Sequence, residues 1–73
     1  MLQEQLYESI LINYLKHPDK WARLMAAATL GKIGDTNAFV PLEQAMNDPD
    51  EGVRLMVQIA INEFNQKKIE AEK

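Results

Sequence analysis

Cysteine is absent from this 73-residue chain, and histidine occurs once. Without cysteine there is no disulfide and no thiolate metal site. That fits a reducing compartment, and a cytoplasmic protein is the expectation. Long apolar runs are missing too. No stretch of 18 apolar residues could span a bilayer, and the opening Met1-Leu2-Gln3-Glu4-Gln5 lacks the basic-then-apolar order of a secretion signal. Glycine is scarce, and Gly31-Lys32-Ile33-Gly34 has neither the spacing nor the following Lys-Thr of a phosphate loop. Positive charge is thin and scattered. The net charge is −3, and the lysines stand singly except for Lys67-Lys68. A nucleic-acid binder usually carries a clustered basic face, so nucleic acid is not expected as a partner. The single serine, Ser9, and the single histidine, His17, leave no material for a hydrolytic triad.

What the chain does have is one phrase written twice. The segment His17-Pro18-Asp19-Lys20-Trp21-Ala22-Arg23-Leu24-Met25 returns 31 residues later as Asp48-Pro49-Asp50-Glu51-Gly52-Val53-Arg54-Leu55-Met56. Proline, aspartate, arginine, leucine and methionine coincide. The register extends outward, with Leu11 on Leu42, Leu15 on Met46, Leu30 on Ile61 and Ile33 on Phe64. The only two arginines fall at equivalent places. A fixed period of this length marks a stacked-repeat architecture, and its function then lies in a surface rather than a reaction centre.

Four helices account for the pattern. Residues 2–16 carry Leu2, Leu6, Ile10 and Tyr14 at spacing four, flanked by Tyr7, Leu11 and Leu15. His17-Pro18 ends that helix, because a residue before proline is driven out of the helical region. Residues 19–33 form the second, with Asp19 as N-cap and Gly34 as a left-handed C-cap. It is apolar on about two-thirds of its circumference, through Ala22, Ala26, Leu30 and Ile33 and a neighbouring stripe of Trp21, Met25 and Ala28, so burial between neighbours is expected. A third helix spans 36–47 with Phe39, Leu42 and Met46 as its buried edge. Pro41 either sits in its first turn or kinks it. The fourth, 51–67, carries Val53, Val57, Ile61 and Phe64. Its start is signalled twice, by a capping box of Asp48 and Glu51 and by Asp50 as a competing cap. The tail from Lys67 is polar and expected to fray. Short connections imply antiparallel neighbours and an all-α single domain of residues 1–73.

Gly31-Lys32-Ile33-Gly34-Asp35, then Ala38-Phe39-Val40-Pro41-Leu42 and Ala45-Met46, then Asp48-Pro49-Asp50 and Val53-Arg54 resemble the HEAT-like repeat of the phycobilisome-lyase type. The resemblance covers about residues 6–64. It implies a short α-solenoid of about two HEAT-like repeats built from four antiparallel helices. Such repeats occur in scaffolds, lyases, hydroxylases and DNA-repair enzymes. Two departures matter. Asn62 and Asn65 stand where Gly31 and Gly34 stood one repeat earlier, so the last helix should run on and the array end there. The first helix has no partner before it, so the chain is expected to open mid-repeat. The paired histidine-glutamate motifs of the iron hydroxylases built on this repeat are missing, and lyase or repair activity would need more repeats.

The candidate residues mostly have structural explanations. His17 sits at a helix C-terminus, where it meets the negative end of the dipole. Asp48, Asp50 and Glu51 fail as a calcium loop, because Val53 and Ile59 stand where glycine and glutamate are required. Arg23 and Arg54 are expected to tie helix ends to acidic loop residues such as Asp19, Asp35 or Asp50. Trp21 either packs or anchors a partner; its equivalent is Gly52, so the fold does not demand tryptophan there. The inner side of the solenoid, often the binding side, is expected to carry Glu8, Ile12, Asn13 and Lys16 beside Glu43, Gln44 and Asn47. The end helices offer Leu2, Leu6, Tyr7 and Ile12 at one edge and Leu55, Ile59 and Ile69 at the other. Two repeats are fewer than such arrays need to bury a continuous core, so self-association or docking through an end helix is expected. The sequence therefore reads as a non-catalytic protein-interaction or scaffold module, with no cofactor, no metal and no membrane. The alternative is an accessory subunit or fragment of a HEAT-like enzyme such as a bilin lyase.

Overall fold

The computed structural model describes the backbone of residues 2–72 and the side chains of residues 6–67 and 69. Four α-helices, α1 (Leu2–Tyr14), α2 (Lys20–Ile33), α3 (Phe39–Gln44) and α4 (Glu51–Glu72), form two hairpins, and no strand occurs among the described residues. The ends differ from the sequence reading in physically legible ways. Helix α1 stops at Tyr14, and Leu15, Lys16 and His17 each donate a backbone hydrogen bond three residues back, at 3.2, 3.0 and 3.0 Å. The chain thus tightens into a 3₁₀-type turn before Pro18. The third helix is not continuous over 36–47. It is a short α segment between two 3₁₀ turns, Thr36–Ala38 and Ala45–Asn47, with Pro41 in its first turn, where a missing N–H leaves nothing unsatisfied.

The caps behave as their chemistry dictates. Asp19 accepts from the Trp21 amide at 3.1 Å, and Asp35 accepts from Asn37 at 2.7 Å. Asp50, not the Asp48–Glu51 box, caps α4, accepting from Val53 at 2.9 Å. Gly34 closes α2 at φ 70°, in the left-handed region. Helix α4 has asparagines where α2 has glycines and runs to Glu72, so the tail expected to fray from Lys67 is helical. Lys67 reaches across and donates its ammonium to the Lys32 carbonyl, where a cation meets the negative end of α2.

The two hairpins stack with α2 parallel to α4. Lys20 lies 3.7 Å from Asp50 at one end, and Lys67 meets Lys32 at the other. Between these ends the helices are close. A Cβ on Gly31 would fall 2.7 Å from both Cα and Cβ of Ala60. Leu30, Leu42, Val53 and Val57 fill the centre and are fully buried, with Ala26, Ala27, Ala38 and Ala60 around them. Burying each of the four larger side chains contributes about 1.5–3 kcal/mol.

Several sequence-level assignments shift. On α1 the buried residues are Leu11 and Leu15; Leu6, Ile10 and Tyr14 of the spacing-four stripe are exposed. The apolar residues of α1 fit two overlapping stripes, and only the one facing α2 and α3 is covered. Trp21 and Met25 are exposed because α1 and α4 cover only part of the apolar arc of α2. Met46 is also exposed, whereas Phe39 packs against Phe64 with ring centroids 5.2 Å apart. Ile61 is only partly buried, unlike its equivalent Leu30, because no further hairpin follows α4 in the described chain. The Leu2 side chain lies outside the described residues.

Candidate interaction surfaces

The repeated arginines organise the turns that close the two hairpins. Arg23 donates from Nε to Asp48 Oδ2 at 2.8 Å and from a terminal nitrogen to Oδ1 at 3.2 Å. Its other terminal nitrogen donates to the carbonyls of His17 and Pro18 at 2.7 and 3.0 Å. One side chain thus closes the end of the first hairpin and clasps the second through a bidentate, charge-assisted pair. Arg54 repeats the closing half, donating to the Asp48 carbonyl at 2.7 Å. The acid that Arg23 reaches is Asp48, not Asp19, Asp35 or Asp50. Asp48 is buried and also accepts from the Asp50 amide at 2.9 Å. The carboxyl of Asp50 lies below the ordinary carboxylate range. The Val53 N–H is the main cause, partial burial opposes it, and Lys20, the Gly52 N–H and Arg23 assist.

Three concavities open around this frame. The first, about 220 Å³, lies between α1 and α3 and is lined by Ile12, Leu15, Lys16, Pro41, Gln44, Ala45, Asn47 and Asp48. It brings together four of the residues assigned to the inner side, Ile12, Lys16, Gln44 and Asn47. Asn13 and Glu43 are exposed outside its lining, and Glu8 is buried in α1 and so is not offered on this surface. The second, about 610 Å³, has the Phe39–Phe64 pair in its wall, with Ile33 and Val40 beside it and Thr36, Asn65 and Lys67 at its polar positions.

The third, about 380 Å³, is a groove along α1 and α2 lined by Tyr7, Leu11, Tyr14, Asp19, Trp21, Ala22, Met25, Ala26 and Thr29. Tyr7, Tyr14, Trp21 and Met25 are 52%, 45%, 62% and 66% exposed. Three of the chain's five aromatic residues lie here. Among the candidates from sequence, Trp21 belongs to this groove, whereas Leu55 and Ile59 are exposed on α4 and line none of the three concavities. Among the described residues, no cluster of three or more His, Asp or Glu side chains is suited to hold a metal ion. No helix among them is long and apolar enough to cross a membrane.

The stacked hairpins, the arginine clasp and the 31-residue register correspond to a known repeat. The profile of the HEAT repeats matches residues 7–71. The chain belongs to the HEAT-repeat family. Neither the curated proteins nor the solved structures yield a match. HEAT repeats commonly mediate protein–protein interaction or scaffolding. In this HEAT protein the residues that sequence reasoning missed are Tyr14, Met25 and Asp19 as groove residues, and Asp48 as the arginine's acceptor. The signal was present in the repeat alignment. Tyr7, Tyr14 and Trp21 align with Ala38, Ala45 and Gly52, a small-to-aromatic change at three positions of one face.

Proposed function

We propose that this HEAT protein is a non-catalytic protein-interaction module and that its contact surface is the open groove of the first hairpin. One observation carries the reading. The groove is the repeat equivalent of a surface that is already an interface one hairpin further on. Leu11, Ala26 and Thr29 align with Leu42, Val57 and Ala60, all fully buried between the hairpins. Exposed tyrosine, tryptophan and methionine on such a face have the composition of interface cores, and tryptophan and tyrosine are the usual energetic anchors. The order Gly31 to Asp35, Asp48-Pro49 and Arg54 supports placing the repeats with the phycobilisome-lyase type. It is a statement about repeat architecture and does not extend to bilin chemistry.

The test compares capture from native lysate by the immobilised chain and by its Trp21→Ala/Met25→Ala variant. Both residues are exposed, so the variant should melt within a few degrees of the parent. A specific protein retained by the parent and lost by the variant supports the reading. Identical capture by the two removes the groove from the function.

A further inference from the structure

The groove's repeat equivalent indicates what covers it. On the second hairpin the corresponding face is covered by the first hairpin: Leu11 and Leu15 of α1 join its core, and α2 lies parallel to α4 from the Lys20–Asp50 pair to the Lys67–Lys32 contact. Helix α2 brings a cation at its first residue, Lys20, to the carboxylate of Asp50. Asp19 is the repeat equivalent of Asp50 and lines the open groove. One of its oxygens accepts from the Trp21 amide; the other has no partner among the described residues.

A further copy of this chain does not fit in the same way. Stacked head to tail, its α4 would present Asn62 where Gly31 allows close approach, and Thr29 would stand where Ala60 receives it. Its Arg54 would meet His17 in place of Asp48, so the carboxylate that clasps Arg23 would be missing. The groove is also wider in its demands than the internal interface, since Tyr7 and Tyr14 project where Ala38 and Ala45 are small.

We infer that the groove of Tyr7, Tyr14, Trp21 and Met25 receives an amphipathic α-helix of a partner protein, with a lysine or arginine in its first turn paired to Asp19. This rests on the interaction reading above and adds the class of ligand. The partner's apolar stripe, at positions i, i+3, i+4 and i+7, packs on the aromatic rings. Its basic residue fixes the direction, parallel to α2, as Lys20 does for α2 on α4. Lys20 of this chain lies over the Trp21 ring, 5.4 Å from its centre.

The experiment is selection from a display library of randomised 18-residue peptides against the full chain, followed by affinity measurement on Trp21→Ala and Asp19→Asn. Asparagine keeps the N-cap and removes the charge. The expected binders are helical in the complex by NMR, carry a basic residue in the first turn, and weaken about tenfold or more on Trp21→Ala. On Asp19→Asn they should weaken roughly threefold at low salt, the size of an exposed ion pair, with the loss vanishing at high salt. Binders that depend on Trp21 but are extended, or lack the basic residue, overturn the helix proposal and leave the interaction reading standing. Binders indifferent to Trp21 overturn both. If no Trp21-dependent peptide emerges, the helix proposal is overturned, and sedimentation then assigns the groove. A dimer that Trp21→Ala dissolves gives it to a second copy, and a monomer leaves the groove without a ligand.

Discussion

Gly31→Ala tests the central contact of the fold. The new Cβ would lie 2.7 Å from Ala60 Cα, 2.7 Å from Ala60 Cβ and 3.1 Å from the Ala60 carbonyl oxygen. Ordinary contact begins near 3.4 Å, so α2 and α4 must separate by about 0.7 Å at this point, within the range of gap that forfeits a quarter to a half of each dispersion well. Two of the obstructing atoms are backbone and cannot rotate away. The penalty therefore falls at the upper end of overpacking, about 3 kcal/mol. Alanine is the better helix former by about 1 kcal/mol, which leaves a net loss of about 2 kcal/mol. For a domain of this size that lowers Tm by roughly 8–16 °C. Gly52→Ala is the control. It makes the same chemical change near the start of α4, where the added methyl meets only the Asp50 carboxylate at 3.0 Å, so stability should stay within about 0.5 kcal/mol or rise by up to about 1 kcal/mol. Ala60→Gly added to Gly31→Ala should recover only part of the loss, because the Ala60 Cα is as near as its methyl. Urea denaturation followed by circular dichroism measures the three variants against the parent. Gly31→Ala as stable as the parent, or full recovery by Ala60→Gly, would refute the close approach of α2 and α4.

The two arginines should separate. Arg23→Ala strands the buried carboxylate of Asp48 and should cost on the order of 3 kcal/mol, whereas Arg54→Ala loses one hydrogen bond to a carbonyl, about 1 kcal/mol; equal losses in denaturant titration would contradict the clasp. Arg54→Ala should still exceed Lys32→Ala, whose side chain is exposed. Leu30→Ala empties a fully buried site and should cost about 2–5 kcal/mol, enough to unfold much of a small domain; a Tm within a few degrees of the parent would contradict the register. Acid should weaken the protein through Asp50, because its folded pKa lies below the unfolded value. The stability it contributes is present above the unfolded carboxylate value of about 3.9 and is lost as pH falls through the lower folded value. Asp50→Asn keeps a capping oxygen and should flatten that part of the pH–stability curve, and an unchanged curve would remove Asp50 from the acid response.

The repeat was legible in the sequence because it is a local property. The phrase from Pro18 to Met25 recurs, its caps are chosen by side-chain chemistry within a few residues, and Gly34 marks a left-handed stop. These features determined four helices, their turns and the stacking of two hairpins. They also marked the loss of the second stop at Asn62 and Asn65, and α4 runs on as that loss requires. What they left undetermined depends on neighbours distant along the chain. On α1 the spacings of Leu6-Ile10-Tyr14 and Leu11-Leu15 are both helical, and only the direction from which α2 and α3 approach decides that the second is core. Asp48 and Asp50 both look like caps. The reach of Arg23 from the other hairpin makes the first an ion-pair partner and leaves the second to cap α4. Trp21 and Met25 lie in an apolar stripe of α2, a helix apolar on about two-thirds of its circumference, yet α1 and α4 cover only part of that arc and leave these two side chains exposed. The sequence thus determined which residues are apolar and where helices stop, through short-range sterics and hydrogen bonding. Only the tertiary structure decided which apolar face is covered and which is left as a groove, because burial belongs to the assembled surfaces and not to any single helix.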